Sequence, residues 1–322
     1  MIIVNASEGR PDFAGTGTAV TWGNFDGVHL GHQALILKLV DKAKLLGLVS
    51  VVVTFDPKPV EFFSKETAPK PLVDDQDKFA LLSALGVDYC VVVPFVQDFA
   101  AQGAEEFVRN FLVDFIKAKV LVLGHDTCFG RDRRGSFDFL QEARQRYGFE
   151  VERVSSVLAG GEAVASTRIR KFIAAGSLNE VPALLGRRHG VHGSVRHGAN
   201  RGGSILGCPT ANLDPGPLLL PPNGVYACTA KISGSFWAAA VNLGVNPSFG
   251  GITPSLEAHL LDFEGDLYGM EIRLYFESFL RREQKFASLE ELKTRISEDM
   301  LKTRLLIDCI RAEPEFAALH PL

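Results

Sequence analysis

A short strand, a glycine-containing turn and an amphipathic helix follow one another near the start of the chain. Residues 18–22 have the length and composition of a strand, and apolar side chains recur at helical spacing from Leu35 to Ala43. The turn between them reads Gly23-Asn24-Phe25-Asp26-Gly27-Val28-His29-Leu30-Gly31-His32. A strand joined to a helix in this way favours an α/β fold in which the turn lies at the edge of the sheet.

The turn has the features of a phosphate-binding site. The first N–H groups of a helix have no internal partners, and the helix dipole favours an anion there. Gly27 and Gly31 allow sharp turns and close approach of the backbone to a ligand, and His29 and His32 can donate hydrogen bonds to phosphate oxygens. The alternative is a turn in which the two histidines only cap the helix or pack against it.

Length, charge and cysteine usage limit the class of protein. With 322 residues the chain exceeds what one core usually organises, which predicts two domains. A formal net charge of -4 argues against a general polyanion-binding surface, so we expect no nucleic-acid partner. Five scattered cysteines without C-x-x-C spacing predict reduced thiols in a cytoplasmic protein. Because the sequence has neither a basic leader nor an apolar window of bilayer length, we expect no membrane partner.

Further apolar runs alternate with helical patterns in the first half of the chain. They cover residues 49–55, 87–94, 120–124 and 149–154. This alternation predicts a parallel, Rossmann-like sheet. Ligands bind such sheets beyond the carboxyl ends of the strands, which is where His29 and His32 fall.

Three later segments of this half could contribute to the same site. Phe55-Asp56-Pro57-Lys58-Pro59 follows a strand, and its prolines predict an extended loop that could equally be structural. The loop over residues 124–135 carries an arginine cluster, which by itself is typical of a solvated surface. Ser166 or Thr167 can cap a helix that begins near Ala165, and capping alone would explain their presence.

Glycine, proline and alternating apolar residues become frequent after Gly186, so we place a boundary there, with domains at residues 1–186 and 187–322. Strand-length segments at 225–232, 236–243, 256–261 and 271–279 are separated by turn residues, which predicts a small closed β-barrel. A capping box at residues 288–291 begins a terminal helix. The apolar face of that helix is predicted from Leu292, Ile296, Met300 and Leu305.

Two segments of the predicted barrel carry groups suited to phosphate chemistry. The stretch 201–212 ends with Thr210 and Asn212, whose side-chain oxygens on alternate positions of an extended segment face one side and suit Mg²⁺. Glu257 and His259 alternate on a strand, and a carboxylate there can accept the proton of a substrate hydroxyl. An ordinary loop and an exposed charged strand face are the respective alternatives.

In chain order, these motifs resemble the bacterial bifunctional riboflavin kinase/FMN adenylyltransferase family, also called FAD synthetases. Residues 23–32 are similar to its extended H-x-G-H signature, 124–135 to its G-x-[DN]-x-x-F-G-x-x-R-x-G loop and 165–170 to its S-S-T-x-I-R signature. Residues 207–212 are similar to G-x-P-T-A-N, and 256–262 to L-E-x-H-x-x-D. The resemblance implies a Rossmann-like α/β nucleotidyltransferase domain of the H-x-G-H superfamily, followed by a riboflavin-kinase β-barrel domain with a C-terminal helix.

The resemblance also implies two reactions and a set of residues for them. Riboflavin is phosphorylated to FMN in the barrel, and FMN is adenylylated to FAD with release of pyrophosphate in the α/β domain; ATP is the co-substrate and Mg²⁺ the cofactor. The implied catalytic residues are Glu257, His29, His32 and Arg170. The implied ATP- and phosphate-binding residues are Gly23, Phe25, Asp26, Gly27, Gly31, Asp126, Arg133, Ser166, Thr167 and Gly207. The implied flavin-binding residues are Asn24, Phe55, Pro57 and Asn223, and the implied Mg²⁺ ligands are Thr210 and Asn212.

The chain departs from the family pattern at Lys58, Thr127, Cys128, Cys208 and Ser248. Three alternatives therefore stay open. They are a riboflavin kinase with an inactive first domain, a flavin-binding or regulatory protein without turnover, and a nucleotidyltransferase for another phosphate ester. The sequence leaves the oligomeric state open.

Overall fold

A computed structural model describes residues 1–13, 15–196, 210–245 and 254–322. Within these residues the chain forms two compact units. The first consists of Met1–Pro69, Val73–Ala165 and Leu322, and the second of Lys70–Leu72 and Ser166–Pro321. The helices that follow Ala165 belong to the second unit, and the domain boundary near Gly186 stays a prediction.

The first unit is built on a six-stranded parallel sheet with strand order β1-β4-β3-β2-β5-β6. The strands are β1 Ile2–Asn5, β2 Thr18–Trp22, β3 Val49–Asp56, β4 Tyr89–Pro94, β5 Ala118–Gly124 and β6 Glu150–Val154. Every residue of β2 is buried, as expected for a central strand of a parallel sheet that is covered on both faces. The strands predicted for this half are all present, and β1 is an additional edge strand.

Helices connect these strands. They are α1 Leu30–Leu46, α2 Pro59–Phe63, α3 Asp75–Ala84, α4 Gln97–Ala100, α5 Ala104–Glu106, the π-helix Phe107–Phe115 and α6 Phe137–Tyr147. The unit also has 3-10 turns at Ala6–Glu8 and Arg131–Arg133 and a hairpin of β7 Leu158–Ala159 with β8 Glu162–Ala163. Pro59 occupies the first turn of α2, where proline is favoured, so the extended loop predicted through Pro59 ends at Lys58.

Alternate residues of β3 contribute to two separate cores. Val51 and Val53 pack with Phe107 in one core, and Val52 packs with Leu39 of α1 in the other. Since successive strand residues point to opposite faces, α1 lies on the face opposite to Phe107. Parallel strands end at a common edge, and the N-terminus of α1 lies there, directly after the turn that follows β2.

The second unit contains a closed barrel of six antiparallel strands in the order β10-β13-β12-β11-β14-β9. The predicted closed barrel is confirmed, although the sequence predicted only four of its strands. The strands are β9 Gly190–Arg196, β10 Thr210–Leu213, β11 Gly224–Ile232, β12 Ser235–Val245, β13 Pro254–Leu260 and β14 Glu271–Arg281. Three short helical segments precede the barrel, namely α7 Ser166–Ala174, the 3-10 turn Leu178–Glu180 and α8 Pro182–Leu185. The interior is filled by alternate strand residues such as Ala211, Tyr226, Val241, Ala258 and Leu274.

The terminal helix α9 Leu289–Arg311 begins at the predicted cap, where Ser288 Oγ accepts a hydrogen bond from the Glu291 N–H at 3.1 Å. A short helix, α10 Phe316–Leu319, follows it. Among the described residues, every helix is too short or too polar to span a bilayer.

The face that α9 presents to the barrel differs from the prediction at one position. Ile307 is fully buried against Ala238 of β12, whereas Leu305 is 59% exposed. The helix is oriented by a polar contact as well as by apolar residues, because Asp299 forms an ion pair with Arg281 of β14 at 2.8 Å. A helix returns to the face of Met300 at Ile307, seven residues on, whereas Leu305 lies about 140° away around the helix, so Leu305 was wrongly assigned to the apolar face.

Candidate active sites

The His29 side chain closes the N-terminus of α1. Its Nδ1 accepts a hydrogen bond from the backbone N–H of His32 at 3.3 Å, which makes His29 the N-cap. A neutral imidazole that accepts at Nδ1 carries its proton at Nε2, so any hydrogen bond that this ring donates comes from Nε2. A Cβ on Gly31 would lie 3.2 Å from His29 Nδ1, so glycine gives the ring room to reach its capping position.

The ring of His32 is stacked on that of His29, with 3.6 Å between the ring centroids. Phe25 meets His32 edge to face at 5.2 Å. Nδ1 of His32 is buried without a hydrogen-bond partner among the described residues. Burial, and secondarily the charge of His29, hold the pKa of His32 well below its ordinary value of 6.5. His32 is consequently neutral at neutral pH until an anion offsets these effects.

The backbone between β2 and α1 is strained. Phe25 and Val28 have φ angles of 48° and 38°, in the left-handed region that side chains disfavour, and Gly27 has φ 80°. Hydrogen bonds hold this conformation: the Gly23 N–H donates to Val53 O at 3.0 Å, and the Val28 N–H donates to Phe25 O at 3.1 Å. The Phe25 ring is buried in the α1 core, so the backbone is the part of Phe25 that a phosphate could contact.

Asp26 and Asn24 in the same turn differ in exposure. Asp26 is buried, and Asn24 is exposed. The turn, the two histidines and the first turn of α1 therefore form one contiguous group of predicted residues, to which Gly23 and Gly27 contribute backbone.

An aromatic cluster lies on the other face of the sheet near the same edge. Its members are Trp22, Phe55, Phe95, Phe99, Phe107 and Phe129, and neighbouring rings have centroids between 5.2 and 6.0 Å apart. Sequence reasoning identified only Phe55, because the other rings come from segments whose aromatic residues have no shared spacing. Pro57, also predicted to contact a flavin, is exposed just beyond β3.

The loop after β5 is anchored on one side and exposed on the other. Phe129 belongs to the aromatic cluster and exchanges backbone hydrogen bonds with Gly135. The Asp126 side chain is 82% exposed and lies 3.7 Å from His125 Nδ1. Arg133 is also exposed, with a strained φ of 58°. The two predicted ligand-binding residues of this loop are thus accessible.

In the second unit, the predicted residues of the S-S-T-x-I-R segment lie in the first turns of α7. Ser166 is the first residue of the helix, and Thr167 is exposed. Arg170 donates from Nε to Lys70 O at 3.1 Å. The guanidinium group of Arg168 lies 5.7 Å from the centre of the Phe172 ring, so this side chain packs along its own helix.

A row of polar residues crosses three strands of the barrel. Glu257 on β13 is directly opposite Asn212 on β10 and Asn242 on β12. The next row, Ala211, Ala258 and Val241, fills the barrel interior, so Asn212, Glu257 and Asn242 share the outer face. The sequence identified Asn212 and Glu257 as site residues, but Asn242 joins them only through strand pairing.

The carboxyl group of Glu257 is partly buried. Burial, and secondarily the negative charge of Glu283, raise the pKa of Glu257 above its ordinary value of 4.5. Glu283 gave no signal in the sequence, since it follows the end of β14 without any recognisable motif. Burial lowers the pKa of His259, which lies opposite the backbone of Thr210.

The remaining predicted residues of the barrel are Thr210, Gly207 and Asn223. The Thr210 backbone is in β10, two positions from Asn212 and therefore on the same face. The side chain of Thr210 and all of Gly207 lie outside the described residues, as do Cys208 and Ser248. Asn223 is exposed immediately before β11.

Amide and carboxylate oxygens such as those of Asn212 and Glu257 are hard donors of the kind that Mg²⁺ prefers, so the donor set fits this ion.

The fold and these sites define the class of protein: an α/β nucleotidyltransferase unit with an H-x-G-H turn, followed by a riboflavin-kinase barrel with a C-terminal helix. Residues 14–168 match the family model described as FAD synthetase, and residues 185–307 match that of riboflavin kinase.

Whole-length relatives combine both parts. The bifunctional riboflavin kinase/FMN adenylyltransferase of Pseudomonas fluorescens is 43% identical over 298 residues, covering 92% of this chain and 94% of that protein. The protein of the same description from Escherichia coli K12 is 39% identical over 289 residues, covering 89% and 92%. A crystal structure described as a macrolide-efflux protein from Streptococcus pneumoniae has a TM-score of 0.83 and 29% identity, covering 94% of this chain and 99% of that one. The chain belongs to the bifunctional riboflavin kinase/FMN adenylyltransferase family.

Proposed function

We propose that the protein makes FAD from riboflavin in two successive ATP-dependent reactions. Riboflavin is phosphorylated to FMN, and FMN is then adenylylated to FAD with release of pyrophosphate. The observation that carries this proposal is the presence of both family models in one chain, together with a 43% identical bifunctional relative over 92% of its length.

In the adenylylation reaction, a phosphate oxygen of FMN attacks the α-phosphorus of ATP, and the bond from that phosphorus to the β-phosphate bridge oxygen breaks. A phosphate is already ionised at neutral pH, so the step needs positioning and charge stabilisation rather than a base. We propose that His29, His32 and Arg170 stabilise the negative charge that passes to pyrophosphate. The capping geometry supports His29 Nε2 as one donor.

The other predicted residues of this reaction bind the two substrates. The backbone around Gly23, Phe25, Gly27 and Gly31 and the carboxylate of Asp26 line the nucleotide side in this proposal, with Asp126, Arg133, Ser166 and Thr167 as further nucleotide contacts. The flavin ring is assigned to Asn24, Phe55 and Pro57. The aromatic cluster around Phe55 supports that assignment, because aromatic rings pack favourably with one another and the flavin is a planar aromatic ring.

In the kinase reaction, the terminal ribityl hydroxyl of riboflavin attacks the γ-phosphorus of ATP, and the bond to ADP breaks. Glu257 is the proposed general base that accepts the hydroxyl proton. Its raised pKa supports this role, because a base works best with a pKa nearer to neutral pH. Gly207 is assigned to ATP and Asn223 to the flavin.

Mg²⁺ is part of the proposal on the chemistry of the donors. Asn212 and Thr210 would hold the ion on the outer face of the barrel, beside Glu257. When bound with ATP, Mg²⁺ neutralises phosphate charge.

We also propose a cytoplasmic location, supported by the free cysteines Cys90, Cys128, Cys228 and Cys309 among the described residues.

The test is to incubate the purified protein with riboflavin, ATP and Mg²⁺ and to follow riboflavin, FMN and FAD by chromatography. FMN followed by FAD is the expected result. FMN alone would indicate a kinase with an inactive first unit, and flavin binding without conversion would indicate a non-enzymatic protein. Glu257→Gln should stop riboflavin phosphorylation while FAD is still made from supplied FMN, so loss of both activities in a folded variant would contradict the division of roles.

A further inference from the structure

The connection from β14 to α9 is fixed at one end by a charged contact and at the other by an aromatic ring. Arg281, the last residue of β14, donates from Nε to Oδ2 of Asp299 on α9 at 2.8 Å, and its Nη2 also lies 2.8 Å from Oδ2. The Arg281 guanidinium lies 5.7 Å from the centre of the Phe286 ring. The residues between Arg281 and Phe286, among them Glu283, are therefore held near the outer face of the barrel.

From this position Glu283 contacts β12. Its Oε1 accepts a hydrogen bond from Asn242 Nδ2 at 3.4 Å. A Cβ on Gly244 would clash with the same oxygen, so the Glu283 carboxylate would have to move away. The carboxylate thus occupies the space over Gly244, and glycine is required there for Glu283 to reach Asn242.

Asn242 connects this contact to the polar row of the barrel. It is directly opposite Glu257 in the ladder between β12 and β13. Directly opposite residues in antiparallel strands are the closest side-chain neighbours across the sheet. Glu283 therefore acts on the neighbour of Glu257 from a different segment of the chain.

The arrangement brings the carboxylates of Glu257 and Glu283 near each other, and repulsion between two like charges does not favour folding. Both carboxylates neighbour Asn242, Glu283 through its hydrogen bond and Glu257 through the strand ladder. Local conflicts of this kind are more typical of functional sites than of structural ones.

We propose that Glu283 is a positioning residue for riboflavin phosphorylation, an inference that rests on the proposed kinase function. By holding Asn242 and filling the space over Gly244, it fixes the neighbour of Glu257 and so keeps the Glu257 carboxylate aligned with the substrate hydroxyl. Glu283 acts through Asn242 and is not itself the base.

The experiment compares Glu283→Ala, Glu283→Gln and Gly244→Ala in the full-length protein. Glu283→Ala should lower kcat for riboflavin phosphorylation about tenfold to a hundredfold, the effect of outer-shell partners at other sites, with a smaller change in the KM for riboflavin. Glu283→Gln keeps an oxygen that accepts from Asn242, so its kcat should stay closer to that of the parent protein. Gly244→Ala should lower kcat as Glu283→Ala does, because the new methyl group displaces the carboxylate.

The double variant Gly244→Ala with Glu283→Ala separates positioning from general damage. The three atoms nearest to the new methyl group all belong to the Glu283 carboxylate, so the double variant should be no slower than Glu283→Ala alone. Additive losses would contradict the proposal, as would a kcat of Glu283→Ala within twofold of the parent value. Equal impairment of Glu283→Gln and Glu283→Ala would also overturn it, because the amide retains the contact.

Two controls keep this test distinct from that of the proposed function. Glu313→Ala removes an exposed carboxylate in the same unit, beyond α9, and should leave kcat unchanged. Adenylylation of supplied FMN and the thermal unfolding midpoint should be unaffected in every variant that is correctly folded. A parent protein that makes no FMN would contradict the proposed kinase function itself, whereas an active parent with unaffected Glu283 variants would contradict only this inference.

Discussion

The two nitrogens of the His29 ring have different roles. Nδ1 accepts the capping hydrogen bond, and Nε2 carries the proton of the neutral ring, which we propose is donated to phosphate. A substitution by alanine removes both, so it cannot tell loss of catalysis from loss of stability. An asparagine side chain can place an acceptor oxygen near the Nδ1 position and has no counterpart of Nε2, which separates the two uses.

We predict that His29→Asn and His29→Ala both lower the rate of FAD formation from supplied FMN by about a hundredfold to a thousandfold. This is the usual effect of removing one hydrogen-bond donor that stabilises charge developing in the transition state. His29→Ala should also lower the free energy of unfolding by about 1 kcal/mol because the cap is lost, and His29→Asn should not. Chromatographic rates and urea denaturation measure the two effects. Riboflavin phosphorylation is the internal control, and an asparagine variant that retains adenylylation would remove His29 from the proposed site.

Single residues were predictable where the chemistry depends on local spacing. The positions of His29 and His32 at the start of a helix and of Glu257 on a strand are examples, and their roles in the chemistry stay predictions. Asn242 and Glu283 were not singled out as site residues, because strand pairing and a side-chain contact bring them to Glu257 from distant positions. No local pattern encodes such contacts.

Strands with long apolar runs could be predicted from the sequence, and strands without them could not. β3 and β11 have long apolar runs and were found nearly to their ends. β9 was missed because Gly190 and Gly193 interrupt its alternation, and β10 because four residues are too few to establish a period. Each is defined by strand pairing, β10 with β13 and β9 with β14.

The orientation of α9 gives a prediction at this scale. Ile307→Ala should lower the free energy of unfolding by about 2–5 kcal/mol, because it opens a cavity against the barrel. Leu305→Ala removes a comparable side chain from an exposed position and should change it by less than about 0.5 kcal/mol. Urea denaturation of the two variants checks this, and similar losses in both would mean that Leu305 also packs against the barrel.

Several elements of the second unit meet at one buried carboxylate. Glu277 Oε1 on β14 accepts hydrogen bonds from Thr229 Oγ1 of β11 at 2.8 Å and from His320 Nε2, beyond α10, at 2.6 Å. Its Oε2 lies 2.9 Å from Nε of Arg188. Removing one partner of a buried ion pair leaves the other charge uncompensated.

Glu277→Ala should therefore lower the free energy of unfolding by about 3–5 kcal/mol. Glu277→Gln retains the size of the side chain and an acceptor for Thr229, so we expect a smaller loss. Chemical denaturation followed by far-UV circular dichroism provides the measurement. A loss below about 1 kcal/mol for the alanine variant would show that Arg188 is hydrated or paired otherwise, since an unpaired buried charge costs more than that.

For the molecule as a whole, stability should depend on pH through a buried histidine of the second unit. His189 is almost fully buried, with Nε2 at 2.9 Å from Leu219 O, which makes it a donor to that carbonyl. Burial lowers the pKa of His189 from 6.5 to about 4, and the neighbouring charge of Arg187 acts in the same direction. Above pH 6.5 the ring is neutral in both the folded and the unfolded chain, so it has no effect on stability there.

As the pH falls from 6.5 to about 4, the unfolded chain binds a proton at His189 and the folded chain does not. Over this window the barrel should lose about 3 kcal/mol of stability from this group alone. His189→Gln places an amide N–H where Nε2 was, keeps the donor to Leu219 and cannot titrate. Urea denaturation at pH 7 and pH 4 should therefore show a smaller acid loss in the glutamine variant, by about 3 kcal/mol. An equal acid loss in both proteins would assign the pH dependence to other groups and contradict a neutral, buried His189.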